Sequence, residues 1–132
     1  MNDNGIVSSL TSSLVMRALD AATLRHAAQA QNISNASTPG YRTLHVNFEQ
    51  QLTMARSQLL GRGDDAGAMH ALSNIQARVE QLPVMSDDGS DKVKIDEEIA
   101  KMMQNAVYYQ SLLTALGKNG SILRMAVREG RS

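Results

Sequence analysis

The chain has no cysteine, so disulfides, thiolate metal sites and cysteine nucleophiles are excluded together. It has no tryptophan, Phe48 is its single phenylalanine, and Tyr41, Tyr108 and Tyr109 are the other aromatics. A thick globular core draws on more aromatic bulk than this. Ala, Leu, Val, Ile and Met supply most of the apolar residues, which suits helices packed closely along long seams. An excess of either charge is lacking too: 13 acidic residues balance 13 basic ones, so the overall field gives no reason to expect a nucleic acid or an acidic membrane as partner. Met1 to Leu10 carries no Lys or Arg, and its apolar residues are interrupted by Ser, Thr and Asn, so neither a secretory signal nor a membrane span is expected there. At 132 residues, one cooperative unit is the ceiling.

Two segments carry helical periodicity. From about Ile6 to Asn35, Val15, Leu19, Ala22, Ala30 and Ile33 fall on one side, with His26 among them, while Arg17, Asp20, Gln31 and Asn32 are expected to point elsewhere. This helix should end near Asn35, because Ala36-Ser37-Thr38-Pro39-Gly40 brings a pre-proline residue and then Pro-Gly, the preferred centre of a type II turn. The last segment is more regular. Ile95, Ile99, Met102, Ala106, Tyr109, Leu113, Leu116, Gly120, Leu123 and Val127 are separated by steps of three and four, a sustained heptad seam. Gly120 weakens it by about 1 kcal/mol relative to Ala, but the seam resumes beyond, so one long helix is expected. Asp96, Glu97 and Glu98 near its start and Arg124 and Arg128 near its end complement the helix dipole.

The organisation expected is therefore residues 1–41 as an N-terminal helix with its turn, 42–92 as a middle segment and 93–132 as the heptad helix. In the middle, Val46 to about Leu60 could form a short amphipathic helix; Gly61 to Gly67 is too glycine-rich to continue it, and Asp87-Asp88-Gly89-Ser90-Asp91 is a second break. Leu72 to Met85 reads either as a helix ending before Pro83 or as a short extended element. The fold class is all-α: two long terminal helices paired as an antiparallel coiled coil. One pair leaves apolar edge uncovered, so the chain should order on assembly into a helical polymer.

Chemistry finds little purchase. His26, His45 and His70 lack the i, i+4 spacing of a helical metal pair. Asp87, Asp88 and Asp91 do not meet the ligand positions of a calcium loop. Arg62-Gly63-Asp64 and the sequons at Asn32 and Asn35 are short enough to arise by chance. Methionines such as Met102, Met103 and Met125 fit ordinary seam packing. No nucleophile, base and orienting group can be named together, so no catalytic, cofactor or metal site and no small-molecule substrate is expected.

The run Asn32-Ile33-Ser34-Asn35-Ala36-Ser37-Thr38-Pro39-Gly40-Tyr41 resembles the signature of the flagellar axial proteins, the rod, hook and hook-associated subunits, which carry Asn-Ile-Ala-Asn-Ala-x-Thr-Pro-Gly-Tyr after an N-terminal helix. Ser34 for alanine is a small-for-small change. Leu24-Arg25-His26, Arg42, Asn47-Phe48, the run Val93, Asp96, Glu98, Ile99, Ala100, Asn105, Tyr109 and Gln110, and the ending Ile122 to Gly130 resemble the proximal-rod members of that family. Asn47 and Ile99 depart from the usual Asp and Met, and the middle of the chain carries no resemblance.

The resemblance implies an assembly motif at Asn32, Ile33, Asn35, Thr38, Pro39, Gly40 and Tyr41. It also implies that the terminal helices pair within the rod, which makes the residues that spacing places on the seam, Val15, Leu19, Ala22, Ile33, Ile95, Ile99, Met102, Ala106, Tyr109, Leu113, Leu116, Leu123 and Val127, the expected helix-seam interface. The partners implied are other copies of the chain, other rod proteins, the membrane ring with its junction protein, and the flagellar type III export apparatus, which would deliver the chain to a rod spanning the periplasm without signal cleavage. A helical adaptor or secretion chaperone that does not polymerise is the competing reading; it accounts for amphipathic helices but not for the Asn-to-Tyr run.

Overall fold

The computed structural model describes residues 3–62, 65–82 and 92–130. Six elements follow in order: α1 (Asp3–Ser34), β1 (Leu44–Asn47), α2 (Glu49–Arg62), α3 (Asp65–Ser73), β2 (Arg78–Gln81) and α4 (Ile95–Glu129). The two long helices are those the periodicity predicts, and α4 runs unbroken through Gly117 and Gly120. Its first turn holds Asp96, Glu97 and Glu98 and its last holds Arg128, opposite in sign to the dipole at each end. The aspartate-rich break at 87–91, Gly63-Asp64 and the side chains of Leu123 and Val127 lie outside the described residues.

The fold is mostly helical but not wholly so, which corrects the all-α expectation. β1 and β2 pair antiparallel, with Leu44 opposite Gln81 and Asn47 opposite Arg78. Val46 thus belongs to a strand, and the helix expected from it starts only at Glu49. The extended alternative for the stretch after Leu72 is the one adopted, over Arg78–Gln81. His45 and Asn47 both reach Glu80 across the ribbon, at 3.6 and 3.1 Å.

α1 is the spine. Its alanines let neighbours approach closely: Ala18, Ala21 and Ala28 are buried in one core with Val46 and Phe48 of the ribbon region, Ala55 of α2, and Ala71, Leu72 and Ile75 around α3. Leu10, Leu14, Leu52 and Leu112 pack on its margin. Arg17, expected to face away, instead donates from Nη1 to the Ile75 carbonyl and ties this core to α1. Arg25 makes a second tie, gripping both carboxylate oxygens of Glu49 at 2.7 and 2.9 Å. His26, placed among the apolar residues of α1 by spacing, is exposed.

α4 lies along α1 in the opposite sense: Asn105 bonds the Ala22 carbonyl at 2.8 Å, and Glu98, earlier in α4, meets Asn32, later in α1. Among the described residues, no helix is long and apolar enough to cross a membrane.

Candidate functional site

The Asn32-to-Tyr41 run folds around its first residue. Asn32 is 1% exposed, opposite to the direction expected for it, and a buried carboxamide is costly unless its donors and acceptors are engaged. All of them are. Nδ2 donates to the Leu44 carbonyl at 2.9 Å and to Glu98 Oε2 at 3.2 Å; Oδ1 accepts from the Tyr41 hydroxyl and from the Leu44 amide, both at 2.8 Å. Asn32 therefore pairs with the amide and carbonyl of Leu44 as a strand residue would, and caps that edge of β1. One side chain joins the end of α1, the turn, the ribbon and the start of α4.

The intervening residues make that geometry possible. Asn35 closes the helix end, donating from Nδ2 to the Gln31 carbonyl at 2.9 Å and accepting from the Thr38 hydroxyl at 3.2 Å. Thr38 to Tyr41 is the expected turn: the Tyr41 amide donates to the Thr38 carbonyl at 3.2 Å, Pro39 occupies the position where its fixed φ is wanted, and Gly40 has φ +74°, which glycine takes at little cost. The chain reverses and Tyr41 returns its hydroxyl to Asn32, whose Nδ2 bonds Glu98. Burial, and then the nearby Glu98 carboxylate, raise the Tyr41 pKa above its ordinary 10.0, so the hydroxyl stays protonated and donates. Ile33 is half-buried beside this junction.

The seam residues divide. On α4 the face turned inward consists of Glu98, Met102, Asn105, Tyr109, Leu112 and Leu116, with Glu98 and Asn105 buried and the others half-buried. Ile95 and Ile99 are each 44% exposed and Leu113 is 41%; Ala106 is exposed as well. The heptad stripe is therefore covered along one edge only, and Met103 and Val107 extend its bare flank. On α1, Ala22 is fully covered while Val15 and Leu19 are half-buried. Glu98 and Asn105 escape an apolar count altogether, although their seven-residue spacing, on one face with Met102 and Tyr109, is a sequence signal for a polar pair inside the seam.

No protein-family model matches the chain. Individual relatives do. The flagellar basal body rod protein FlgB of Borrelia hermsii is 29% identical over 113 residues, covering 76% of this chain and 82% of that protein. FlgB of Escherichia coli K12 is 29% identical over 116 residues, 75% of this chain and 79% of its own length. FlgB of Yersinia enterocolitica is 32% identical over 101 residues, covering 67% of this chain and 72% of that protein. With the Asn32 junction built from the run that first pointed to the axial proteins, this chain belongs to the FlgB family of flagellar basal body rod proteins.

Proposed function

We propose that the chain is a structural subunit of the proximal rod, packed through its terminal helices against neighbouring subunits so that the assembly transmits torque as a stiff shaft. The observation that carries this is the bare flank of α4: Ile95, Ile99, Met103, Val107 and Leu113 stay between 41% and 68% exposed in a helix whose other edge is already covered. Apolar residues in such a continuous strip mark a surface that a partner covers. A neighbour's helix laid into it would complete a coiled coil, and stiffness would come from many such seams in register. Family membership supports association with other rod components. The junction protein and membrane ring as contacts, and export through the type III apparatus without signal cleavage, follow from the same resemblance.

Leu113→Asp tests this. Leu113 is exposed in the free chain, so the variant should fold with an unchanged circular dichroism spectrum yet leave membrane rings without a rod in electron micrographs of isolated basal bodies, as a strain lacking the gene should. Normal rods and swimming in the Leu113→Asp strain would sink the proposed packing.

A further inference from the structure

The β1–β2 ribbon has two edges, and its register decides which backbone groups face them. The Leu82 amide donates to the Thr43 carbonyl at 2.8 Å, and Leu44 lies opposite Gln81. Bonded pairs alternate along an antiparallel ladder, so His45 with Glu80 and Asn47 with Arg78 bond across the ribbon. Leu44 and Val46 on one strand, and Val79 and Gln81 on the other, therefore turn their amides and carbonyls outward. On the β1 edge Asn32 takes both groups of Leu44. On the β2 edge no described residue bonds those of Val79 or Gln81, and every residue of the strand is exposed. An open strand edge is a template for another strand.

We propose that β2 pairs antiparallel with β2 of a second copy of this chain, about a two-fold axis through Val79. Charged edge residues ordinarily discourage pairing, because an arriving strand has to match them. Arg78-Val79-Glu80 is matched by itself: turned about Val79, it sets Arg78 beside the partner's Glu80 and Glu80 beside the partner's Arg78. Arg78 has no ion-pair partner among the described residues of its own chain. The adjacent antiparallel registers that keep outward groups face to face set Glu80 against Glu80 or Arg78 against Arg78, and a parallel partner in register stacks like charges as well. Val79, 45% exposed and opposite the buried Val46, covers the partner's Val79 and lengthens that apolar row. Pro83, which has no amide hydrogen to give, lies beyond the residues this register uses. A two-fold contact closes on itself and does not propagate, so the pair is a form of the free chain, separate from the helical contacts of a rod.

Sedimentation equilibrium of the full-length chain at rising concentration tests this. A reversible monomer–dimer equilibrium that weakens with salt is expected. Arg78→Glu and Glu80→Arg should each weaken dimerisation about tenfold, an equimolar mixture of the two should recover it as a heterodimer, and the double exchange should restore the parent constant. Val79→Pro gives up only the outward amide, so it should abolish the dimer with an unchanged circular dichroism spectrum. Leu113→Asp should leave the dimer constant as it is, so that a failure of the rod reading and a failure of this pairing are seen separately. A chain that stays monomeric at its highest soluble concentration, a dimer unmoved by the single reversals, or a loss that the mixture does not recover would overturn the pairing.

Discussion

Replacing Asn32 by leucine, close in size and without hydrogen-bonding groups, should remove four bonds at once. At about 0.5–1.5 kcal/mol net for each, the sum is about 2–6 kcal/mol. Tyr41 and Leu44 are only half-buried, so water can reach some of the abandoned groups and the lower half of that range applies. The Glu98 carboxylate, 5% exposed, keeps only Lys101 at 3.5 Å among the described residues and pulls the figure back up. A loss of about 3 kcal/mol is the expected balance, a large share of an ordinary domain's stability. Urea unfolding followed by circular dichroism measures it directly. Asn32→Asp sharpens the point, because it keeps both acceptor bonds but turns the donors into a carboxylate facing Glu98. That variant should be less stable than Asn32→Leu at neutral pH, because two carboxylates then face each other across the junction. A loss below about 1 kcal/mol for Asn32→Leu would refute the account of Asn32 as the joint between the helices.

Tyr41→Phe removes one donor to Asn32 and should cost about 1 kcal/mol in the same unfolding assay. Because the Tyr41 pKa is raised by folding, the folded state holds its proton more tightly; that stabilisation is fully present below pH 10.0 and is lost as pH rises through the folded value, so the parent chain should lose stability there more steeply than Tyr41→Phe. Gly40→Ala meets no atom within 4 Å, so its cost comes from the positive φ alone, about 1–2 kcal/mol; a change under a few tenths in urea unfolding would show that the turn relaxes to another type.

The turn was legible in the sequence because Pro39-Gly40 restricts the backbone locally, with no help from the rest of the chain. The two long helices were legible for a related reason: an apolar residue recurring every three or four positions has few other ways to be buried. Asn32 was misplaced because periodicity weighs apolar residues alone, whereas a carboxamide enters a core when a turn, a strand and a second helix converge to meet its four groups. Only long-range contacts decide that. The strand at Leu44–Asn47 escaped notice, and the extended and helical readings of the stretch after Leu72 stayed open, because the strands are four residues each and β2 is exposed throughout, leaving no alternation to decide them. The seam shows the limit most clearly. Counting apolar residues located the stripe on α4, yet it could not tell that Met102, Tyr109 and Leu116 would face inward while Ile95, Ile99 and Leu113 stay bare, since that depends on where α1 lies.

Polar joints and an apolar flank do different work in one helix pair. Apolar seams tolerate sliding, because leucine against alanine differs little from leucine against methionine one turn along. Asn32 with Glu98 and Asn105 with the Ala22 carbonyl do not tolerate it, since a shift of one residue turns α4 by about 100° as well as moving it about 1.5 Å along its axis, which swings the partners of bonds of 3.2 and 2.8 Å apart. Replacing such a buried polar set with well-packed apolar residues can leave stability unchanged, so its contribution is better sought in register, as with a single polar residue in a coiled-coil core. Register within one chain fixes which residues of α4 remain outside. If a rod is built by laying neighbours on that flank, an error of one residue inside each subunit would turn Ile99 and Leu113 away from the neighbour and repeat along the whole shaft. On that reading the buried polar contacts of the helix pair guard the placement of its exposed apolar flank.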